Sequence, residues 1–177
     1  VTRFELGPDG VDLTFSETEA GILRDLAGQL DGLLEGGPPD HGAEAVRDRL
    51  FPRAYLDPTA DTEEREFQSV VHDDLVAAKH AAATALIEAL DSARPERKAR
   101  LTVSLDRPAI EIWVGALNDI RLALGVTLEV TDDAEDPDTL PPGDPRAAGF
   151  ELYHWLTYLQ GTLVEALLAG PDPFATT

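Results

Sequence analysis

Trp113-Val114-Gly115-Ala116-Leu117-Asn118-Asp119-Ile120-Arg121-Leu122-Ala123-Leu124-Gly125 is the stretch on which the fold turns. With Ile110 just upstream, Trp113, Val114, Leu117, Ile120 and Leu124 recur every three or four residues, the spacing of one face of an α-helix. Asn118, Asp119 and Arg121 interrupt that helix with an amide, a carboxylate and a guanidinium. A helix that only fills a core needs none of these. Such groups either tie helices together through buried hydrogen bonds, because a buried ionic group needs a partner, or they recognise a ligand or another protein.

Working outward, Asp106 or Arg107 stands where an N-cap belongs, with Pro108 at a tolerated early position. Leu101, Val103 and Leu105 alternate with Thr102 and Ser104, which predicts a strand. Arg94 to Arg100 reads as a basic connector. Downstream, Gly125 is placed to stop the helix, and Val126 to Val130 alternates weakly enough to suggest a last short strand. Asp132 to Asp144 is acidic and proline-rich, the composition of a surface loop. A final helix is expected from about Pro145 to Ala169, with Tyr153, Leu156, Leu159, Leu163, Val164, Leu167 and Leu168 facing inward.

The first half repeats the theme. Phe4 to Leu6 and Val11 to Phe15 flank the turn residues Gly7-Pro8-Asp9-Gly10, which predicts a β-hairpin. Ser16-Glu17-Thr18-Glu19 fits a capping box. Ile22, Leu23, Leu26, Leu30, Leu33 and Leu34 follow at helical spacing, and Gly36-Gly37-Pro38-Pro39 stops the helix. Asp40 can cap a shorter helix to Leu50, and Arg53 to Thr59 connects it to a long one. That long helix runs from Thr62 to Ser92, with Phe67, Val71, Leu75, Ala78, Ala82, Leu86 and Leu90 on one face and His72-Asp73-Asp74 as a point where it could break. A shift of 90 residues superposes Leu13 on Val103, Phe15 on Leu105, Ser16 on Asp106, Leu23 on Trp113, Leu30 on Ile120 and Leu34 on Leu124. The expected fold is mainly α: a bundle of about four long helices, with a small N-terminal β-hairpin and one or two further short strands. Residues 1–170 are expected to form a single helical domain and 171–177 a disordered tail.

Hydrophobic residues make up 43% of the 177, enough for a packed core. There is no cysteine, which removes disulfides, thiolate metal sites and thiol chemistry. No apolar run approaches the roughly 18 residues that span a bilayer; a cytoplasmic protein that avoids membranes is the expectation. Net charge is −20, from 34 acidic and 14 basic residues. Such a chain repels phosphates, so direct nucleic-acid binding is disfavoured. Five basic residues nevertheless cluster, Arg94, Arg97, Lys98, Arg100 and Arg107. They fit either a solvated helix end and loop or a patch for an anionic partner.

Chemistry-bearing motifs are sparse. Glu151-Leu152-Tyr153-His154 has the Glu-x-x-His spacing of di-iron bundles, but those need a second copy and two more carboxylates, and no second copy occurs. His72 and His80 lack ligand residues three or four positions away, so their helix alone builds no metal site. Asp73 or Asp74 is better placed to pair with Arg121 from another helix. No phosphate loop, nucleophile elbow or HExxH is present. No residue is therefore assigned a catalytic, metal-binding or cofactor role. The candidate polar cluster is Asn118, Asp119, Arg121, Asp73, Asp74, Trp113, Tyr153 and Trp155.

Leu117-Asn118-Asp119-Ile120-Arg121-Leu122-Ala123-Leu124-Gly125 resembles the signature of an actinobacterial family catalogued as a domain of unknown function and associated with oxidative-stress transcriptional regulation. Tyr153-His154-Trp155-Leu156-Thr157-Tyr158-Leu159-Gln160 resembles its second block, and Leu50-Phe51-Pro52 through Asp73-Asp74-Leu75 a third. The resemblance implies a small cytoplasmic regulator or adaptor, not an enzyme; a monomer or homodimer is expected. It implies contact with another protein, a sigma factor or the proteolysis machinery. A cysteine-based form of that role does not apply to a chain without cysteine. The rival reading is a small-molecule or metal-binding bundle, or an enzyme, with its site among Asp73, Asp74, Arg121, His154 and Trp155.

Overall fold

Two β-hairpins, each running into a helix, frame the molecule. The computed structural model describes residues 2–7, 10–36, 41–53, 61–130, 140–141 and 143–169, without the side chains of 41, 61 and 63–69. Its elements are β1 (Arg3–Leu6), β2 (Gly10–Ser16), α1 (Glu17–Leu34), α2 (His41–Leu50), α3 (Asp61–Asp91), β3 (Arg94–Glu96), β4 (Arg100–Asp106), α4 (Arg107–Thr127) and α5 (Ala147–Ala169). The described residues thus hold five helices rather than about four, since the short α2 joins the four long ones. The strands form one antiparallel sheet in the order β1-β2-β4-β3.

The 90-residue shift has a structural counterpart. β2 pairs with β4 so that Gly10 faces Asp106, Leu13 faces Val103 and Ser16 faces Arg100. Exchanging each residue for its counterpart 90 positions away returns the same pairs, so the central ladder has an approximate two-fold through Leu13 and Val103. Both strands feed helices through matching caps. Ser16 Oγ accepts from the Glu19 backbone N–H at 3.2 Å, and Glu19 returns to the Ser16 N–H at 2.7 Å. Asp106 Oδ1 accepts from the Ala109 N–H at 2.9 Å. α1 then packs chiefly on α3, and α4 on α5 and α2. Gly10 has a steric reason: a Cβ there would lie 2.0 Å from the Leu105 carbonyl oxygen, inside the ladder.

Burial would raise the Glu19 pKa, but hydrogen bonds from the Ser16 backbone, the Ser16 hydroxyl and Thr2 outweigh it and hold the carboxyl below its ordinary value. A lowered native value means the ionised form stabilises the fold. That contribution is complete above the unfolded range near roughly pH 4.3 and fades as pH falls through the lowered native value. Glu19→Gln should therefore cost about 1 kcal/mol at pH 7. In urea titrations the gap to the parent should close on acidification below about pH 4.

The sheet's inner face supplies Val11, Leu13, Phe15, Val103 and Leu105 to the main core. They meet Leu23, Leu86, Leu90, Trp113, Leu117, Leu156, Leu159 and Leu163 from the helices, all fully buried. Ala83 is buried where α3 meets this core. A satellite cluster of Leu128, Leu140 and Phe150 closes the far end of α4.

Several expectations change. α3 passes through His72-Asp73-Asp74 without a break. Of its apolar stripe, Leu86 and Leu90 are buried, Val71 is half-buried and Leu75 is 42% exposed, while the Phe67 side chain lies outside the described residues. On α5, Val164 and Leu168 face outward. Gly125 lies inside α4 and does not stop it. No strand forms at Val126 to Val130. Instead Glu129 takes a left-handed φ of 56°, and the Val130 N–H donates to the Gly125 carbonyl while the Glu129 N–H donates to that of Val126. This is the Schellman closure of a helix end. The basic connector is in fact the β3–β4 hairpin, with Lys98 and Ala99 at positive φ in its turn. Pro95 and flanking charges suit an edge strand but carry no alternating apolar signal.

Pro8 and Asp9 of the first turn, the Gly37-to-Asp40 stop and cap, residues 54–60, residues 132–139 and 142 of the acidic stretch and the 171–177 tail lie outside the described residues. Among the described residues no helix is long and apolar enough to cross a membrane.

Candidate interaction surface

The polar interruption of α4 divides into two clasps. Asp119 is 5% exposed and accepts from Lys79 Nζ of α3 at 2.6 Å. Lys79 also lies over the Phe51 ring, 5.8 Å from its centroid. Arg121 turns the other way, to α5. Its Nε donates to Thr157 Oγ1 at 3.0 Å, one terminal nitrogen to Tyr153 Oη at 3.3 Å and the other to Gln160 Oε1. The guanidinium also stacks 5.1 Å from the Tyr153 centroid, and Gln160 Nε2 donates to the Val114 carbonyl at 3.2 Å. The expected pairing of Asp73 or Asp74 with Arg121 does not form: both aspartates are exposed on α3. Trp113 is 1% exposed and stacked on Phe15. Trp155 donates from Nε1 to Thr2 Oγ1 at 3.2 Å, and Thr2 passes on to Glu19 at 3.1 Å. Asn118 is half-buried beside these clasps. His154 is exposed, so Asp73, Asp74, Arg121, His154 and Trp155 do not converge on one pocket.

The basic run behaves differently. Antiparallel pairing puts alternate residues on the sheet's outer face, and one cross-strand row reads Arg3, Thr14, Thr102, Arg94. Thr14 and Thr102 share a hydroxyl hydrogen bond of 3.0 Å at its centre. Arg97 and Lys98 stand in the adjoining turn, and Arg100 donates to the Thr14 carbonyl at 3.0 Å. Together Arg3, Arg94, Arg97, Lys98 and Arg100 line a shallow depression of about 520 Å³ with only Glu5, Asp12 and Glu96 as carboxylates. Five of the chain's 14 basic residues meet there, in a molecule with 34 acidic ones. Arg94 is partly neutralised by Glu96 at 3.2 Å. Glu5 and Asp12, paired across β1 and β2, give the opposite end of the face an acidic edge. Arg107 does not belong to this face: its terminal nitrogen donates to the Leu167 carbonyl at the end of α5. Arg3 does belong, and no linear motif could reveal it, since it joins the run only through strand pairing.

A family model described as "Domain of unknown function (DUF2017)" matches residues 1–167. The chain belongs to the DUF2017 family. A Mycobacterium leprae relative named as an oxidative stress regulator, AosR, is 34% identical over 180 residues, covering 85% of this chain and 79% of its own length. The Mycobacterium tuberculosis protein named oxidative stress regulator AosR is 33% identical over 182 residues, 86% of this chain and 79% of its own. The DUF2017 match spans both hairpin-helix halves and both clasps. No solved structure matches the chain.

Proposed function

We propose that this DUF2017 protein is a non-enzymatic regulator that works by contact with another protein, and that the outer sheet face is its contact surface. The regulator names of the relatives support the role. The observation that carries the surface is the gathering of Arg3, Arg94, Arg97, Lys98 and Arg100 on one open sheet face. An acidic body with one basic face orients an approaching partner, and charge complementarity sets encounter rate and register. The fitting partner presents an acidic, extended segment. The family resemblance points to a sigma factor or the proteolysis machinery as the protein that carries it.

The test is charge reversal with a matched control. Arg94→Glu combined with Arg97→Glu should weaken capture of the partner from native lysate by tenfold or more, about 1.4 kcal/mol, and raising salt should weaken the parent in the same direction. Arg107→Ala, on another face, should leave capture unchanged. Equal capture by the reversed variant and the parent would refute the assignment of this face.

A further inference from the structure

The two halves place a polar clasp at corresponding positions. Arg121 of α4 has Asp31 of α1 as its counterpart, 90 residues earlier. Arg121 is met on α5 by Tyr153, Thr157 and Gln160, all neutral and all hydrogen-bonded. Asp31 is met on α3 by His80, and that clasp is built differently. Asp31 Oδ1 and His80 Nδ1 are in direct contact, both shielded from solvent, yet neither makes a hydrogen bond of acceptable geometry. Glu35, one turn further along α1, brings a third ligand atom, and all three atoms lie within 4.8 Å of one another.

We infer that Asp31, Glu35 and His80 form a binding site for a divalent transition-metal cation, which would staple α1 to α3. This goes beyond the sheet-face reading and does not depend on it. The spacing on α3 alone offers His80 no second ligand, but the neighbouring helix supplies two. One imidazole nitrogen with two carboxylate oxygens suits zinc and its first-row neighbours better than magnesium or calcium, which prefer all-oxygen shells. Metal bonds of about 2.0–2.2 Å place ligand atoms roughly 3.4 Å apart in a tetrahedron. The present arrangement therefore needs Glu35, which is exposed, to close by little more than about 1 Å through rotation, and the touching Asp31 and His80 atoms to part by a similar amount to admit the ion. Water would complete the coordination.

Local electrostatics point the same way. Asp31 and Glu35 share a helix face four residues apart, a repulsive pair. They also occupy the last turn of α1 and its C-cap, where a helix end favours cations, and that last turn holds no basic residue. A bound cation would relieve both conflicts at once.

The experiment titrates the full chain with zinc chloride by calorimetry, with thermal unfolding in parallel. The expected result is one zinc per chain and a raised Tm. Affinity should fall at least about tenfold in Glu35→Gln and disappear in His80→Ala. Glu35 is exposed at a helix end, so its variant keeps the fold even if His80→Ala does not. His72→Ala, an exposed histidine on the same helix, should bind as the parent does. A zinc response unchanged in both His80→Ala and Glu35→Gln, equal competition by calcium or magnesium, or no zinc binding to the parent would overturn the inference.

Discussion

Asp119→Ala should destabilise the protein by about 3–5 kcal/mol, because it leaves the Lys79 ammonium nearly out of water with no anion. The side chains of the pair are 16% and 7% exposed and meet at 2.6 Å. Desolvation offsets much of their attraction while both are present, so the pair adds little net stability. Removing one partner keeps the desolvation cost and loses the attraction. The double change Lys79→Met with Asp119→Leu should therefore recover most of the loss, which separates an orphaned charge from a general packing defect. Urea unfolding followed by circular dichroism reads both values. A loss below about 1 kcal/mol in the single variant would mean that Lys79 reaches water or a second anion.

Trp113→Ala should cost a further independent 3–5 kcal/mol, the usual range for a large aromatic in a core. Trp113 is 1% exposed and lies between the sheet and the helices, its ring 6.3 Å from Phe15 at an interplanar angle of 25°. Truncation removes that stacking and opens a cavity where the two hairpin-helix halves meet. Trp113→Phe should cost clearly less, since it keeps a ring against Phe15. Thermal unfolding of the pair measures the difference. Equal losses would place the role of Trp113 in its indole nitrogen rather than in packing.

What could be read from the chain follows from how local each signal is. The caps at Ser16 and Asp106 and the alternation in β2 and β4 are encoded within a few residues, and both appear where the spacing puts them. The 90-residue shift was legible because it compares two local patterns, and the symmetric β2–β4 register gives it a physical basis. The partners of the polar residues were not legible. Lys79 stands in the alanine-rich part of α3, and nothing around it in sequence names Asp119. Arg121 is satisfied by a phenol, a hydroxyl and an amide, which leave no charge pattern to match. Helical spacing also cannot say where covering elements end, which is why Leu75 reads as stripe yet stands exposed. The sheet face lies between these cases: the Arg94-to-Arg100 run was visible, but its meeting with Arg3 required the strand order.

The central claim, contact through the outer sheet face, is tested most directly by photo-crosslinking in the host cell. A benzophenone amino acid replaces Arg97 in one strain and Ile112, 42% exposed on α4, in another. One recurrent protein adduct is expected from position 97, weakened by Arg94→Glu, and none from position 112. The same adduct from position 112 with nothing from position 97 would contradict it.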